Sequence, residues 1–319
     1  MKNVLVLSAG RRVELVESFL KEINSKNKDI KLFTTDNNPT YSAACKRFDN
    51  YFSSVKASDP NYIDFLLDKS NVNDIGMIIP TIDTELLILS KNIELFKSNG
   101  INIIVSNPDL IKVCSDKRLT FDFFNNLNLN VPIIYKKDKL EFPCFVKPYS
   151  GSSSIDCLKI SKKEDLSVSM INDDKFIFTE YIGNEFSEYT IDMYYDQQSE
   201  LKCLVPRQRI EVRAGEISKG ITRKNYVYDY LLSNFKTFPG ARGCITLQLF
   251  YNIKTNKIYF IEINPRFGGG FPLSYSAKAN YPGWLLDEYF FNRKIAFFDN
   301  WEKNLLMLRY DSKILVHDV

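Results

Sequence analysis

The sequence predicts a doubly wound α/β domain followed by an α+β region, and two observations support this prediction. Over about the first 110 residues, short apolar runs alternate with helical patterns, which is typical of a parallel sheet covered by helices on both faces. From Glu188 onward, strand patterns follow one another with polar turns and few helices between them. This arrangement indicates an antiparallel sheet in the second half of the chain.

The elements of the first domain follow from the spacing of apolar residues. The apolar run at residues 4–7 predicts a strand buried on both faces, and the apolar positions from Val13 to Ile23 have helical spacing. The segment Ser8-Ala9-Gly10-Arg11-Arg12 forms the turn between these two elements. Further strands are predicted at residues 30–35, 76–80 and 101–105, and further helices near Pro60 and at residues 85–98.

The second half begins after the boundary marked by Asn107-Pro108-Asp109. Its predicted strands span residues 144–147, 176–180, 189–195, 201–206, 244–251 and 257–263. Its predicted helices span residues 116–126, 162–171 and 225–235. No internal repeat or low-complexity linker interrupts this order.

Composition excludes several classes of function. The 42 basic and 39 acidic side chains give a net charge of +3, which disfavours nucleic acid as the main partner. Only one histidine, His317, is present, which excludes a Ser-His-Asp triad and a multi-histidine zinc site. No apolar run approaches the roughly 18 residues of a membrane span, and no signal peptide is visible. With no Cys-x-x-Cys pair among the six cysteines, we expect a cytoplasmic protein with buried thiols.

Two loops contain residues suited to anions. The turn from Ser8 to Arg12 lies where a strand meets a helix, so Arg11 or Arg12 is placed to meet a carboxylate or a phosphate. The alternative is a plain tight turn, because the glycine spacing of a dinucleotide fingerprint is absent. Lys147 ends a strand before the loop of residues 149–154, which suits a polyphosphate. A solvated surface loop would have the same composition.

Polar residues at the ends of two strands suggest a nucleotide and a metal. The strand ending at Glu180 could offer backbone groups to a base, although an ordinary strand and turn would look the same. Glu262 and Asn264 are two residues apart in a predicted strand, so they point to the same face. With Gln248 from the preceding strand they form an all-oxygen set that suits Mg²⁺. The alternative is a structural polar cluster.

Taken in order, these motifs resemble those of ATP-grasp enzymes, especially short proteins similar to the large subunit of carbamoyl phosphate synthase. The motifs are Ser115-Asp116-Lys117, Phe145-Val146-Lys147-Pro148, the Ser150 to Ser154 loop, Glu180-Tyr181-Ile182, Glu188-Tyr189-Thr190, Gln248 and Glu262-Ile263-Asn264-Pro265-Arg266. The resemblance extends to about Pro282. It implies a Rossmann-like pre-ATP-grasp domain at residues 1–110. An α+β ATP-grasp fold of two lobes would follow, at residues 111–184 and 185–319.

The resemblance also implies a role for each matched position. The residues implied to bind ATP are Lys117, Lys147, Ser152, Ser153, Ser154, Glu180, Tyr181, Ile182 and Glu188, with Glu185 as the alternative to Glu188 at the ribose. The residues implied to hold Mg²⁺, with Mn²⁺ as a substitute, are Glu262, Asn264 and Gln248. Arg266 is implied to stabilise the transferring phosphoryl group.

Two further segments are candidates for substrate contact. The stretch from Pro206 to Glu216 is dense in arginine, so Arg209 or Arg213 is placed to face an acyl phosphate or a substrate carboxylate. A solvated pair of strands is the alternative. Thr81, Asp83 and Glu85 follow a strand of the first domain, where open α/β sheets bind ligands, and could meet an amine.

The resemblance implies an ADP-forming ligase that joins a carboxylate to an amine or ammonia through an acyl phosphate. The alternatives are a kinase that releases a phosphorylated product and a non-catalytic ATP sensor. We expect small-molecule substrates as partners, neither nucleic acid nor membrane, and leave a homodimer open. The length suits one ATP-grasp unit rather than the doubled machinery of the synthase.

Overall fold

Three β-sheets organise the chain in the computed structural model, which describes residues 2–151, 156–213 and 215–317. The first sheet belongs to an N-terminal domain, the second to a small lobe, and the third to a large lobe. Within the described ranges, no helix is both long and apolar enough to cross a lipid bilayer.

The N-terminal domain contains a five-stranded parallel sheet of order β3-β2-β1-β4-β5. Its strands are β1 (Asn3–Val6), β2 (Leu32–Asp36), β3 (Tyr51–Ser53), β4 (Ile75–Ile79) and β5 (Asn102–Ile103). Its helices are α1 (Val13–Lys26), α2 (Ala43–Arg47), α3 (Tyr62–Val72), α4 (Asp83–Lys91) and α5 (Ile93–Ser98). All residues of β4 are buried, as expected for a central strand of a covered parallel sheet.

Two helices connect this domain to the small lobe. They are α6 (Pro108–Ser115) and α7 (Lys117–Asn126). The Asn107 side chain accepts a hydrogen bond from the backbone N–H of Leu110 at 2.9 Å and caps α6. Asp116 caps α7 in the same way through the N–H of Arg118.

The small lobe has a four-stranded antiparallel sheet of order β6-β9-β7-β8. Its elements are β6 (Ile134–Tyr135), β7 (Cys144–Pro148), β8 (Leu158–Ile160), α8 (Val168–Asn172) and β9 (Phe176–Glu180). The predicted helix at residues 162–171 is wrong, because a single 3₁₀ turn (Lys163–Asp165) precedes the short α8. Only Leu166 and Met170 of this stretch pack on the lobe's core, too few for a continuous apolar stripe.

The large lobe has a six-stranded antiparallel sheet of order β14-β13-β10-β11-β12-β15, which confirms the antiparallel sheet predicted after Glu188. The small-lobe sheet is already antiparallel, so the change of sheet type occurs earlier than predicted. Its strands are β10 (Ser187–Tyr195), β11 (Leu201–Arg213), β12 (Glu216–Thr222), β13 (Gly243–Asn252), β14 (Lys257–Asn264) and β15 (Leu306–Leu308). Its helices are α9 (Tyr226–Asn234), α10 (Phe271–Ser276) and α11 (Tyr281–Tyr289).

A buried ion pair lies inside the large lobe. Arg207 on β11 and Asp192 on β10 are fully buried, and two hydrogen bonds of 2.8 and 3.0 Å join the guanidinium to the carboxylate. The hydroxyl of Ser274 donates a further hydrogen bond of 2.6 Å to Asp192. A Cβ atom at Gly270 would come within 2.1 Å of Arg207 Nη1, so this position requires glycine.

We expect Arg207→Ala to lower the free energy of unfolding by about 3–5 kcal/mol, because it leaves the Asp192 carboxylate buried without its counter-charge. Urea denaturation measures the change. The matched control is Arg213→Ala, which breaks the exposed pair with Asp311 and should leave the midpoint unchanged within error. Equal shifts in the two variants would show that burial does not determine the contribution of these pairs.

Candidate functional site

Two adjoining cavities lie between the three sheets. A cleft of about 570 Å³ separates the small lobe from the large lobe, and we call it the inter-lobe cleft. A cavity of about 720 Å³ separates the N-terminal domain from the large lobe, and we call it the interdomain cavity. The residues that line both are Lys117, Ser150, Gly151 and Glu262. The two spaces therefore meet at one wall.

The inter-lobe cleft brings together residues from most of the predicted motifs. The predicted residues that line it are Lys117, Lys147, Glu180, Tyr181, Ile182, Glu188, Gln248 and Glu262. Glu185 is exposed and lies outside the lining, whereas Glu188 is half-buried and lines the cleft. The predicted loop residues Ser152, Ser153 and Ser154 lie outside the described residues.

Lys147 is a buried cation in the wall of the inter-lobe cleft. Its side chain is only 5% exposed, and its ammonium group lies 4.9 Å from the ring centre of Phe121. Burial lowers its pKa from 10.5 to about 8, against a smaller opposing effect of the Glu262 charge. Among the residues that the structure describes, no carboxylate lies within ion-pair distance of this ammonium group, which makes it suited to an anionic ligand.

Lys117 lies at the wall that the two cavities share. Its ammonium group donates a hydrogen bond of 2.8 Å to the carbonyl oxygen of Gly151 and lies 3.9 Å from Glu262 Oε2. Its backbone N–H donates to the carbonyl oxygen of Tyr149 at 2.7 Å, which joins the start of α7 to the end of β7. The predicted segment Ser115-Asp116-Lys117 thus combines a helix cap with a lysine in the cleft.

The pairing of β13 with β14 brings the predicted metal ligands together. Gln248 lies directly opposite Glu262, and Thr246 lies opposite Asn264. The Asn264 amide donates a hydrogen bond of 2.6 Å to Glu262 Oε1, so these two side chains share a face as their spacing predicts. Among the described residues, no three His, Cys, Asp or Glu side chains converge on a metal position. The set consists of one carboxylate and two amides.

Arg266 lines the interdomain cavity, where it is paired with a residue that the sequence did not assign to it. Its Nε and Nη2 atoms lie 3.0 and 2.8 Å from the two carboxylate oxygens of Asp83, at the start of α4. Its Nη2 also donates to Asn264 Oδ1 at 3.3 Å. Arg266 therefore connects the N-terminal domain to the predicted metal ligands, and its charge is balanced by Asp83.

Arg209 and Arg213, the two candidate arginines of the dense segment, lie outside both cavities. Arg209 forms an ion pair with Glu188, and burial raises the pKa of Glu188 although this arginine opposes the shift. Arg213 is exposed, pairs with Asp311 and lines a separate pocket of about 210 Å³. The structure thus places Arg209 behind Glu188 and does not bring Arg213 to Arg266.

Arg12 connects the N-terminal domain to the large lobe. Its guanidinium donates hydrogen bonds of 3.0 Å to the carbonyl oxygens of Thr81 and Phe267, and it lines the interdomain cavity. Burial and the nearby Arg266 charge lower its pKa to about 10. Because both hydrogen bonds go to neutral acceptors, the Arg12 charge is available to an anion in the cavity.

Glu85 is a buried carboxylate behind the turn from Ser8 to Arg12. The Ser8 hydroxyl donates to Glu85 Oε1 at 2.5 Å, while Oε2 is buried with no hydrogen-bond partner among the described residues. Burial raises the pKa of Glu85 to about 7. Thr81 and Asp83 line the interdomain cavity directly, whereas Glu85 supports its wall from behind.

We expect Lys147→Met to be more stable than the wild type near neutral pH by up to about 3 kcal/mol. The pKa of Lys147 is about 8 in the folded chain and 10.5 when unfolded, so the unfolded state binds more protons between these pH values. Wild-type stability should therefore rise relative to the variant across this window, and the difference should vanish above pH 10.5.

Chemical denaturation at several pH values measures this difference. The control Lys136→Met changes an exposed lysine and should show no such pH-dependent gap. A gap for Lys147→Met that does not change between pH 8 and pH 10.5 would contradict the shifted pKa.

Comparison with family models divides the chain into two matched segments. Residues 4–104 match the model described as "PylC-like, N-terminal domain", and residues 114–270 match the model described as "ATP-grasp domain". No curated protein matches the sequence significantly.

Solved structures with similar folds share little sequence with this chain. The biotin carboxylase domain of 2-oxoglutarate carboxylase from Hydrogenobacter thermophilus has a TM-score of 0.73 at 15% identity, covering 96% of this chain and 73% of that one. N5-carboxyaminoimidazole synthetase from Staphylococcus aureus has a TM-score of 0.69 at 15% identity, covering 89% and 76%. An L-amino acid ligase from Bacillus licheniformis has a TM-score of 0.66 at 14% identity, covering 91% and 74%. These similarities establish the fold.

Proposed function

We propose that this chain is an ATP-dependent carboxylate–amine ligase. It carries an ATP-grasp domain that follows a PylC-like N-terminal domain. The carboxylate substrate would attack the γ-phosphate of ATP and form an acyl phosphate and ADP. An amine or ammonia would then displace phosphate and form an amide. The proposal includes a boundary near residue 110 between the N-terminal domain and the small lobe, and one near residue 184 between the small lobe and the large lobe.

The observation that supports the proposal best is the wall shared by the two cavities. A nucleotide whose base lies near Glu180 would extend along the inter-lobe cleft toward Lys117 and Glu262. Its terminal phosphate would then lie at the opening to the interdomain cavity. A carboxylate in that cavity would be in line for attack, which is the positioning that phosphoryl transfer requires.

The residues at the shared wall fit a magnesium ion. Glu262 and Asn264 provide oxygen donors on one face, and Gln248 lies opposite Glu262. With a single carboxylate, the site matches the preference of Mg²⁺ for few protein ligands plus phosphate oxygens, and Mn²⁺ would accept the same donors. A bound ion would neutralise negative charge on the phosphates.

The chain's own side chains would hold the reactants and balance their charge. Lys117 and Lys147 are placed to bind phosphate oxygens through their ammonium groups. Glu188, held by Arg209, is placed to accept hydrogen bonds from the ribose hydroxyls. Arg12 is placed to bind the substrate carboxylate from the N-terminal domain.

The similar structures support this assignment of ligands. The Hydrogenobacter biotin carboxylase domain was crystallised with MgADP, ADP and bicarbonate, and the Staphylococcus synthetase with ADP. The proposed partners of this chain are a small carboxylate and a small amine. Because Cys45, Cys144, Cys203 and Cys244 are buried like small apolar side chains, we place the reaction in a reducing compartment such as the cytoplasm.

An ATP turnover assay with pooled carboxylates and pooled amines tests the proposal. ADP release that requires both pools, together with an amide detected by mass spectrometry, is the expected result. A phosphorylated product formed without an amine would instead identify a kinase. ATP binding with no turnover under any combination of pools would favour a sensor.

We expect Glu262→Gln to reduce turnover by about a hundredfold or more, because it removes the only carboxylate of the proposed metal set. The decisive measurement is the dependence of turnover on Mg²⁺ concentration. Unchanged turnover with an unchanged Mg²⁺ dependence would refute the metal assignment.

We expect Glu188→Gln to weaken ATP binding by about tenfold, because a charged acceptor for the ribose is lost from the inter-lobe cleft. Isothermal titration calorimetry measures the affinity. Glu185→Gln is the matched control and should bind ATP like the wild type, since Glu185 is exposed outside the cleft. The opposite ranking of the two variants would assign the ribose to Glu185.

A further inference from the structure

The ion pair between Asp83 and Arg266 lies in the wall of the interdomain cavity, next to the proposed site of phosphoryl transfer. Both carboxylate oxygens of Asp83 are engaged by the guanidinium, at 3.0 and 2.8 Å. The Asp83 side chain is 35% exposed and that of Arg266 is 11% exposed. Asp83 therefore faces the cavity while Arg266 covers its charge.

The remaining hydrogen bonds of the Arg266 guanidinium are longer and go to neutral acceptors. Its Nη1 donates to the carbonyl oxygen of Phe267, and its Nη2 donates to Asn264 Oδ1, each at 3.3 Å. Asn264 is itself one of the proposed metal ligands and also contacts Glu262, so Arg266 lies directly against the proposed metal site. A phosphate that arrives there carries more negative charge than the Asp83 carboxylate and offers a guanidinium a fork of oxygens. It would compete with Asp83 for Arg266.

We propose, on the basis of the ligase function proposed above, that Asp83 is the binding residue for the amine substrate and that Arg266 masks it until the acyl phosphate forms. When Arg266 turns to the acyl phosphate, the Asp83 carboxylate loses its counter-ion inside the cavity. An exposed carboxylate in that position binds a cation, and the ammonium form of the amine supplies one.

Other carboxylates in this region are less suited to the amine. Glu216 also lines the cavity, but it is paired with Arg11 at 3.5 Å and with Arg309 at 3.4 Å. Glu262 belongs to the proposed metal set. Glu85 is buried behind Ser8 and does not line the cavity. Of these carboxylates, only Asp83 both lines the interdomain cavity and is paired with Arg266, the residue that the acyl phosphate would attract.

The proton balance of the second step is complete with this assignment. The ammonium group of the substrate gives one proton to Asp83 and becomes a neutral amine. The amine nitrogen attacks the carbonyl carbon, the C–N bond forms, and the bond between that carbon and the phosphate oxygen breaks. The second proton leaves with the phosphate as HPO₄²⁻, and Asp83 returns its proton to solvent.

The test compares two nucleophiles in Asp83→Asn. Hydroxylamine at mildly alkaline pH is neutral, so it should trap the acyl phosphate as a hydroxamate without a cation site. A pool of primary amines that includes ammonium chloride needs the cation site. We expect hydroxamate formation close to the wild-type rate, and a loss of kcat/KM for the amines of about thirtyfold or more. This loss should include a raised KM, because the cation site is gone, and a lowered kcat, because asparagine cannot accept the ammonium proton.

The matched control is Asp287→Asn. Asp287 on α11 pairs with Lys26 on α1 at 2.7 Å, so it also joins the N-terminal domain to the large lobe, but it lines neither cavity. This variant should use both nucleophiles like the wild type. An equal loss of hydroxamate and amide formation in Asp83→Asn would overturn the proposal, as would an unchanged KM for the amines.

A measurement on the wild-type protein tests the masking without any variant. Calorimetry should show no binding of the amine pool to the ligand-free protein, and binding once ADP, Mg²⁺ and inorganic phosphate have been added, a mixture that offers Arg266 a phosphate but cannot turn over. Amine binding to the ligand-free protein would overturn the masking by Arg266. A wild-type protein that forms no hydroxamate would instead overturn the ligase function itself.

Discussion

The antiparallel pairing of β13 with β14 is the constraint on which the rest of the site depends. This register sets Gln248 opposite Glu262 and Thr246 opposite Asn264. It places Gln248, Glu262 and Asn264 in the walls of the two cavities. Because side chains alternate along a strand, a slip of one residue would send Glu262 and Asn264 to the opposite face. The apolar residues between them, such as Ile263, hold the register by being buried.

The parts of the fold that were predictable from sequence are those determined by neighbouring residues. The buried runs at β1 and β4 and the antiparallel strands after Glu188 follow from local periodicity, and the structure confirms them. The proximity of Glu262 and Asn264 follows from their spacing on one strand. In contrast, β3 was not predicted, because its three residues are partly or fully exposed at the sheet edge and lack an apolar run.

The features that sequence could not predict depend on residues far apart in the chain. Arg266 and Asp83 are 183 positions apart, and no local pattern links them. The choice between Glu188 and Glu185 depends on where β10 begins. Since β10 begins at Ser187, Glu188 enters the sheet opposite Phe250 in the cleft, while Glu185 remains in the preceding turn.

The two cavities draw their walls from different parts of the chain. Every described residue that lines the inter-lobe cleft lies at position 117 or later, whereas the interdomain cavity has one wall built from Ser8 to Arg12 and from Thr81 to Leu86. Mutations in the N-terminal domain can therefore reshape the second cavity without altering the first. In evolution, changes confined to the N-terminal domain could alter which substrates the interdomain cavity accepts. The inter-lobe cleft would stay unchanged.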